Sequence, residues 1–272
     1  GTKNYSRQDI QDKLSAIKSS VYFNGSNGKV AATINTTEEH LNEALALMTD
    51  MLKNPKFDVA ELEKLKIQDL AAIEENKADP NYLASKKLSL LIQRYPKGHP
   101  LYVRTIEEDI EAINEVSIEK IQAYYDTFFG ISNSATLVAI GNIDEQALKD
   151  YFEKELADFK SDKPYTPIPN KFVINKSANE KIKTPDKKNA ISLGILNAEV
   201  SQNDEDYAAL QIAGEIFGGG FLNSRIASRL RQQDGVSYAA GGQLSIDAEK
   251  NDKNSSILVY AMYAQKIQRK YK

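Results

Sequence analysis

Apolar positions along the first part of the chain fall mostly at helical spacing. Between residues 6 and 17, Ile10, Leu14 and Ile17 share one helical face, and Ser6 with Asp9 can cap the start. Two β-rich runs follow, SSVYFN and KVAATIN, separated by Gly25-Ser26-Asn27-Gly28, which predicts a hairpin. Leu41, Leu45, Met48 and Leu52 then form one stripe of a helix reaching Lys53. A second long helix over 58–76 turns Val59, Leu62, Leu65 and Ile73 inward and stops at Asp79-Pro80. Pro80 opens a third helix that ends near Tyr95-Pro96. Thr105 with Glu108 makes another capping box, and Ser117 begins a helix through Tyr124 and Phe128.

The period then changes. Residues 135–143 are a continuous apolar run closed by Gly141-Asn142, which predicts a strand, followed by a helix over 145–159. The segment KSDKPYTPIPN, residues 160–170, holds three prolines and no periodicity, as a linker would. Beyond it, Ile191, Leu193 and Ile195 alternate in a strand, and a helix over 204–217 halts at Gly218-Gly219-Gly220. A helix over 223–232, a turn at Asp234-Gly235 and two strand-like runs, VSYAAGGQLSI and SSILVYAMYA, complete the pattern. The expected organisation is one nearly complete domain over 1–165, then a linker and the first part of a similar domain over 166–272.

Composition narrows the function classes. Of 272 residues, 41% are hydrophobic and 27% charged, an ordinary globular balance. Net charge is −3 with lysine and arginine scattered, so the basic stripe that nucleic acid requires is missing. No apolar run approaches the roughly eighteen residues that span a bilayer, so no membrane partner is expected and the chain reads as soluble as given. Zero cysteine excludes disulfide and thiolate chemistry and fits either cytoplasm or a bacterial cell envelope space such as the periplasm.

Candidate metal chemistry is thin. NTTEEH, residues 35–40, places Glu39 and His40 as the last two residues of an H-x-x-E-H motif, with Thr36 where the first histidine would stand. A zinc site takes roughly three or four protein ligands, and this chain offers two histidines, His40 and His99. Thr36 or Thr37 followed by Glu39 and an apolar run is instead a capping-box start. His99 lies in a loop, and the pairs Glu38-Glu39, Glu74-Glu75 and Glu107-Glu108 sit at helix starts or solvated faces. Gly218 to Gly220 are followed by no Lys-Ser/Thr, so they read as a helix stop rather than a phosphate cradle.

The order of hairpin, helices, a strand ending AIGNID, a Pro-rich linker and FGGGFLNSRIASRLRQQDGVSY resembles the pitrilysin and insulin-degrading-enzyme family of zinc metallopeptidases, the inverzincins, over nearly the whole chain. The most specific stretch, Leu230 to Tyr238 (LRQQDGVSY), is similar to the family's LRE-x-x-G-x-x-Y signature, with an arginine and a tyrosine seven residues apart. NPKFD, Gly141-Asn142-Ile143-Asp144 and GTKN add weaker support. The resemblance implies an α+β fold of the mitochondrial-processing-peptidase/LuxS-like metallohydrolase type, with antiparallel sheets covered by helices. It also implies that Arg231 and Tyr238 contact a peptide substrate, as two donors placed near a carbonyl can. Without the resemblance, the same two residues read as a helix-end arginine and a packed strand tyrosine.

GTKN resembles the residues that follow H-x-x-E-H in the family's first domain, so that motif would precede Gly1. The family's distant glutamate ligand would fall fifteen residues beyond Phe57, at Ala72. Glu74 and Glu75 lie about 200° and 300° further around the helix, and only a gap in the alignment brings either to that place. The expectation is therefore a non-catalytic part of a zinc endopeptidase that encloses unfolded peptide. Zinc would belong to the full-length enzyme and not to this chain, and the catalytic H-x-x-E-H domain would be supplied in cis or in trans. A scaffold subunit of the same fold without catalysis is the alternative, and a pure peptide-binding module is a third reading.

Overall fold

The computed structural model describes residues 1–26, 28–132, 135–220 and 222–264. In chain order, α1 (Arg7–Ala16) precedes the hairpin β1 (Ser20–Ser26) and β2 (Lys29–Asn35). Helices α2 (Leu41–Lys53), α3 (Val59–Asn76), α4 (Pro80–Leu91), α5 (Ile106–Glu115), α6 (Ile118–Phe128) and α7 (Glu145–Glu155) follow. The remainder holds β3 (Asn189–Glu199), α8 (Tyr207–Gly214), the short α9 (Arg225–Ala227), β4 (Ala239–Ser245) and β5 (Asn254–Ala264). Among the described residues all strand ladders are antiparallel, and the fold class is α+β.

The chain divides into two compact units, the first made of Gly1–Gln68 and Ala112–Ile168, the second of Asp69–Glu111 and the chain from Pro169 on. In the first, α2 supplies the core: Leu45 and Met48 cluster with Val21 of β1 and Leu148 of α7, and Ala44 and Leu47 pack with Ile17. The sequence stripe is thus real, and it faces the base of the hairpin. Ser6 and Asp9 form the expected capping box on α1. Ser26 pairs with Lys29, so Gly25 and Ser26 extend β1 instead of forming the loop the sequence suggested; Asn27 lies outside the described residues.

Three expectations need correction. The capping box of Thr36 with Glu39 does not form: a 3₁₀ turn, Glu38–His40, leads into α2, and no side chain caps it. The Thr36 hydroxyl is engaged instead with the Ser19 hydroxyl at 2.7 Å, an alternative partner of the kind that draws such side chains away from helix ends. On α3, Leu62 and Ile73 are half-buried, but Val59 and Leu65 are exposed, so the stripe there is only partly inward. Finally, residues 135–143 form no ladder; Val138 is 77% and Ile140 94% exposed, and only Ile143 reaches the core. An apolar run becomes a strand only when a neighbouring strand takes its backbone hydrogen bonds, and among the described residues none does so here.

In the second unit the sheet order is β3-β5-β4, with β5 in the centre and β4 at an edge. β3 and β5 pair over eleven residues each, from Asn189 opposite Ala264 to Glu199 opposite Asn254. Asp79 caps α4, accepting from the Tyr82 N–H, with Pro80 at the first helical position as expected. The Thr105–Glu108 capping box also forms. The Glu108 carboxylate accepts from the Thr105 N–H, from Lys97 and from the Tyr102 hydroxyl, which together hold its pKa down to about 2. Near the far end of β3, Asp204 accepts from Lys253 Nζ at 2.8 Å and from the Ser201 N–H at 2.7 Å, and this pairing lowers its pKa.

Candidate functional site

The segment from α8 to β4 carries the residues singled out in the sequence, and its helices are not regular. α8 widens into a π-helical turn over Glu215–Gly219, closed by the Gly220 N–H on the Glu215 carbonyl at 2.9 Å. Ser224, fully buried, then caps α9, its hydroxyl accepting from the Ala227 N–H. α9 widens in turn into a second π-turn, Ser228–Gln233, closed by the Asp234 N–H on the Arg229 carbonyl at 2.9 Å. π-turns are rare and concentrate at functional sites. Sequence periodicity read these segments as ordinary helices, because the widened turn leaves the hydrophobic pattern nearly intact.

The glycines here serve packing. A Cβ on Gly218 would fall 2.3 Å from the Gly242 nitrogen, and one on Gly214 would fall 2.9 Å from Leu244 Cβ. The first π-turn therefore lies backbone to backbone on β4, a contact only glycine permits. Gly218 and Gly219 are helical residues, not the stop the sequence suggested. Between this turn and the sheet, Gln211, Glu215, Gln243 and Tyr260 line an open cleft of about 430 Å³.

Arg231 sits in the middle of the second π-turn, exposed, with no side-chain hydrogen bond or ion pair among the described residues. Arg229, two residues earlier, is the paired one: its Nε donates to Asp234 Oδ2 at 2.8 Å. Gly235, at φ +63°, lets the chain reverse, and the Leu230 carbonyl accepts from both Val236 and Ser237 N–H groups at 3.0 and 3.1 Å. Arg231 and Tyr238 thus each follow one member of the hydrogen-bonded pair Leu230 and Ser237. Tyr238 is 56% exposed just before β4, with its hydroxyl 3.5 Å from Met262 Sδ. The Ser237 hydroxyl donates to the Met262 carbonyl and ties this turn to the sheet.

The remaining candidates make other contacts. His40 Nδ1 is 3.3 Å from Glu43 Oε1 on the same helix face. His99 stacks on Tyr95 at 4.3 Å, and its Nδ1 accepts from the Leu101 N–H. Glu74 pairs with Lys77 at 2.7 Å, and Ala72 and Glu75 are exposed. Among the described residues no three His, Cys, Asp or Glu side chains converge as metal ligands, so this donor set does not fit a zinc ion. In the sequence Asp234 reads only as a turn residue and Arg229 carries no signal of its own; their pairing, five residues apart before a glycine, appears only in the structure.

Comparison with known proteins places these elements in a family. Residues 115–268 match the family described as "Peptidase M16 inactive domain", and residues 1–103 match "Insulinase (Peptidase family M16)". The chain is 25% identical over 241 residues to a Helicobacter pylori protein named "Non-peptidase homolog YmxG", covering 88% of this chain and 54% of that one. It is 23% identical over 269 residues to an "Uncharacterized zinc protease" of Rickettsia felis, covering 97% and 60%. The solved structure of a peptidase M16 inactive domain from Pseudomonas fluorescens superposes with a TM-score of 0.81 at 18% identity, over 99% of this chain and 63% of that one. The chain therefore spans a little over half the length of these curated relatives. Two family matches on successive segments, antiparallel sheets under helices, and the LRQQDGVSY turn all agree: this chain belongs to the M16 peptidase family and carries its inactive domain.

Proposed function

We propose that the chain is a non-catalytic, peptide-holding part of an M16 assembly, in which Arg231 and Tyr238 contact an unfolded polypeptide. The observation that supports this is the contrast between two arginines on one turn. Arg229 is bound to Asp234, whereas Arg231 is exposed without a partner among the described residues, and Tyr238 is exposed just before β4, an edge strand among the described residues. A guanidinium fork and a phenol can donate to peptide carbonyls or carboxylates, and an open strand edge can take an extended chain. Zinc and the general base come from an H-x-x-E-H domain in cis or in trans.

The test measures binding of a fluorescein-labelled unstructured peptide to the chain, and zinc-dependent cleavage of a quenched peptide by the parent polypeptide. Arg231→Ala weakens binding about tenfold, the loss of roughly 1.4 kcal/mol, and lowers cleavage in parallel. Equal affinity of wild type and Arg231→Ala overturns the reading. The relatives' names favour a second reading, a scaffold subunit, since "Non-peptidase homolog" and "Probable inactive metalloprotease" are among them. That reading predicts no chelator-sensitive cleavage by the parent under any condition.

A further inference from the structure

We propose that Arg229 and Asp234 are positioning residues that lock the second π-turn and so aim Arg231, an inference that rests on the peptide-holding reading. The two residues are joined twice. The Asp234 N–H closes the turn on the Arg229 carbonyl at 2.9 Å, and the Arg229 Nε returns to Asp234 Oδ2 at 2.8 Å. Everything between them, Arg231 included, is held inside this double link. The hydrogen bonds of Val236 and Ser237 to Leu230 then fix the return of the chain toward Tyr238.

A π-turn competes with the ordinary α-helical turn, which closes one residue earlier. Relaxation to an α-turn changes the register of the residues inside it by one, and one residue on a helix is a rotation of about 100°. Such a rotation carries the Arg231 guanidinium to a different side of the turn. The side-chain link is half in solvent, with Arg229 68% and Asp234 22% exposed, so its value to global stability is small. Its effect is local, on which of two turn geometries is populated. The link explains why two arginines so close in sequence differ in their partners: one holds the turn and the other is presented by it.

The experiment compares wild type, Arg231→Ala, Arg229→Ala, Asp234→Ala, Arg229→Lys and the double variant Arg229→Ala/Arg231→Ala. Two quantities are read for each chain, affinity for a fluorescein-labelled unstructured peptide and amide hydrogen exchange at 234–238. Expected are an affinity loss of five- to tenfold in Arg229→Ala and Asp234→Ala, exchange at least tenfold faster at Asp234, and an unchanged melting temperature. Arg229→Lys, which keeps the charge and a donor, recovers most of the affinity. The double variant loses no more than Arg231→Ala alone, because an arginine that is absent cannot be misaimed. Loss in Arg231→Ala with none in Arg229→Ala or Asp234→Ala overturns the inference and leaves the peptide-holding reading intact. Equal affinity in wild type and Arg231→Ala overturns that reading and the aiming role with it; faster exchange in Arg229→Ala then shows a clasp that is structural only.

Discussion

Residues 189–199 and 135–143 are similar in apolar content, and both read as strands in the sequence. The first, β3, pairs with β5 along its entire length. The second makes no ladder among the described residues, and Val138 and Ile140 stand in solvent at its centre. What separates them is the neighbour and not the side chains. β5 presents eleven backbone groups in register with β3, and its other edge is taken by β4, onto which the first π-turn is seated through Gly218. Around 135–143 the anchors among the described residues lie at the end, where Ile143 packs against the core of Val21 and Leu148, and Asn142 donates to Glu38 at 2.8 Å. β-propensity describes fit to a pleated, half-buried surface, and that surface has to be supplied.

The largest effect should come from breaking the better-supported side of this comparison. Gly218→Val places branched carbons where the Gly242 backbone already stands, 2.3 Å from its nitrogen, and backbone cannot step aside as a side chain can. We expect a loss of about 3 kcal/mol or more, read by urea unfolding followed by circular dichroism, with hydrogen exchange quickening first in β4 and β5. Gly98→Ala is the control. Gly98 also has a demanding backbone, φ +92°, but a Cβ there meets nothing within 4 Å, so the cost is only the strain of the turn, about 1 kcal/mol.

The next effect asks where the first unit keeps its stability. Leu45 is buried at the meeting of α2, β1 and α7. Leu45→Ala should cost about 2 to 4 kcal/mol through lost transfer energy and a cavity that helices can only partly close. A much smaller loss would mean that the hairpin and the 135–143 run carry more of the unit than their exposure suggests.

A third effect is one of pH and belongs to the second unit. The ordinary value for Glu108 is near 4.5, and its contacts with the Thr105 N–H, Lys97 and Tyr102 depress it to about 2. A folded-state pKa below the unfolded one means that the stabilisation is full above pH 4.5 and is lost as pH falls from there toward 2. Glu108→Gln should therefore lower stability at neutral pH and flatten its decline on the acid side of pH 4.5. A melting curve whose acid limb is the same in both proteins removes the capping carboxylate from the explanation.

The contrast also shows what could be read from residues alone. Helix positions in α1, α2, α4, α5 and α6, and the caps of all of these but α2, were legible, because each signal is local: a cap residue, a stripe, a proline at the first helical position. The Thr36 cap failed because Ser19, seventeen residues away, offered a competing partner. The 135–143 strand failed because a ladder is a property of two segments. At the candidate site, Arg231 and Tyr238 were named through a resemblance to a nine-residue signature. The geometry around them was hidden, since a π-turn and the pairing of Arg229 with Asp234 depend on hydrogen bonds that periodicity does not record.

The smallest expected effect is the sharpest test of the comparison. Ile140→Ser removes a large apolar side chain that is 94% exposed. A surface change of this kind should move unfolding free energy by no more than about 0.5 kcal/mol, and it should raise solubility by shrinking the exposed apolar surface shared with Val138. The matching change in the paired strand, Ile195→Ser, strikes a half-buried residue directly opposite Leu258, where cross-strand packing is lost and a hydroxyl is left among apolar neighbours. The two substitutions are chemically identical, so the difference in their unfolding free energies measures what the neighbouring strand contributes. A difference of at least 1 kcal/mol is expected. Equal costs would mean that 135–143 is packed in solution against something that covers Ile140, and that its strand-like sequence is used after all.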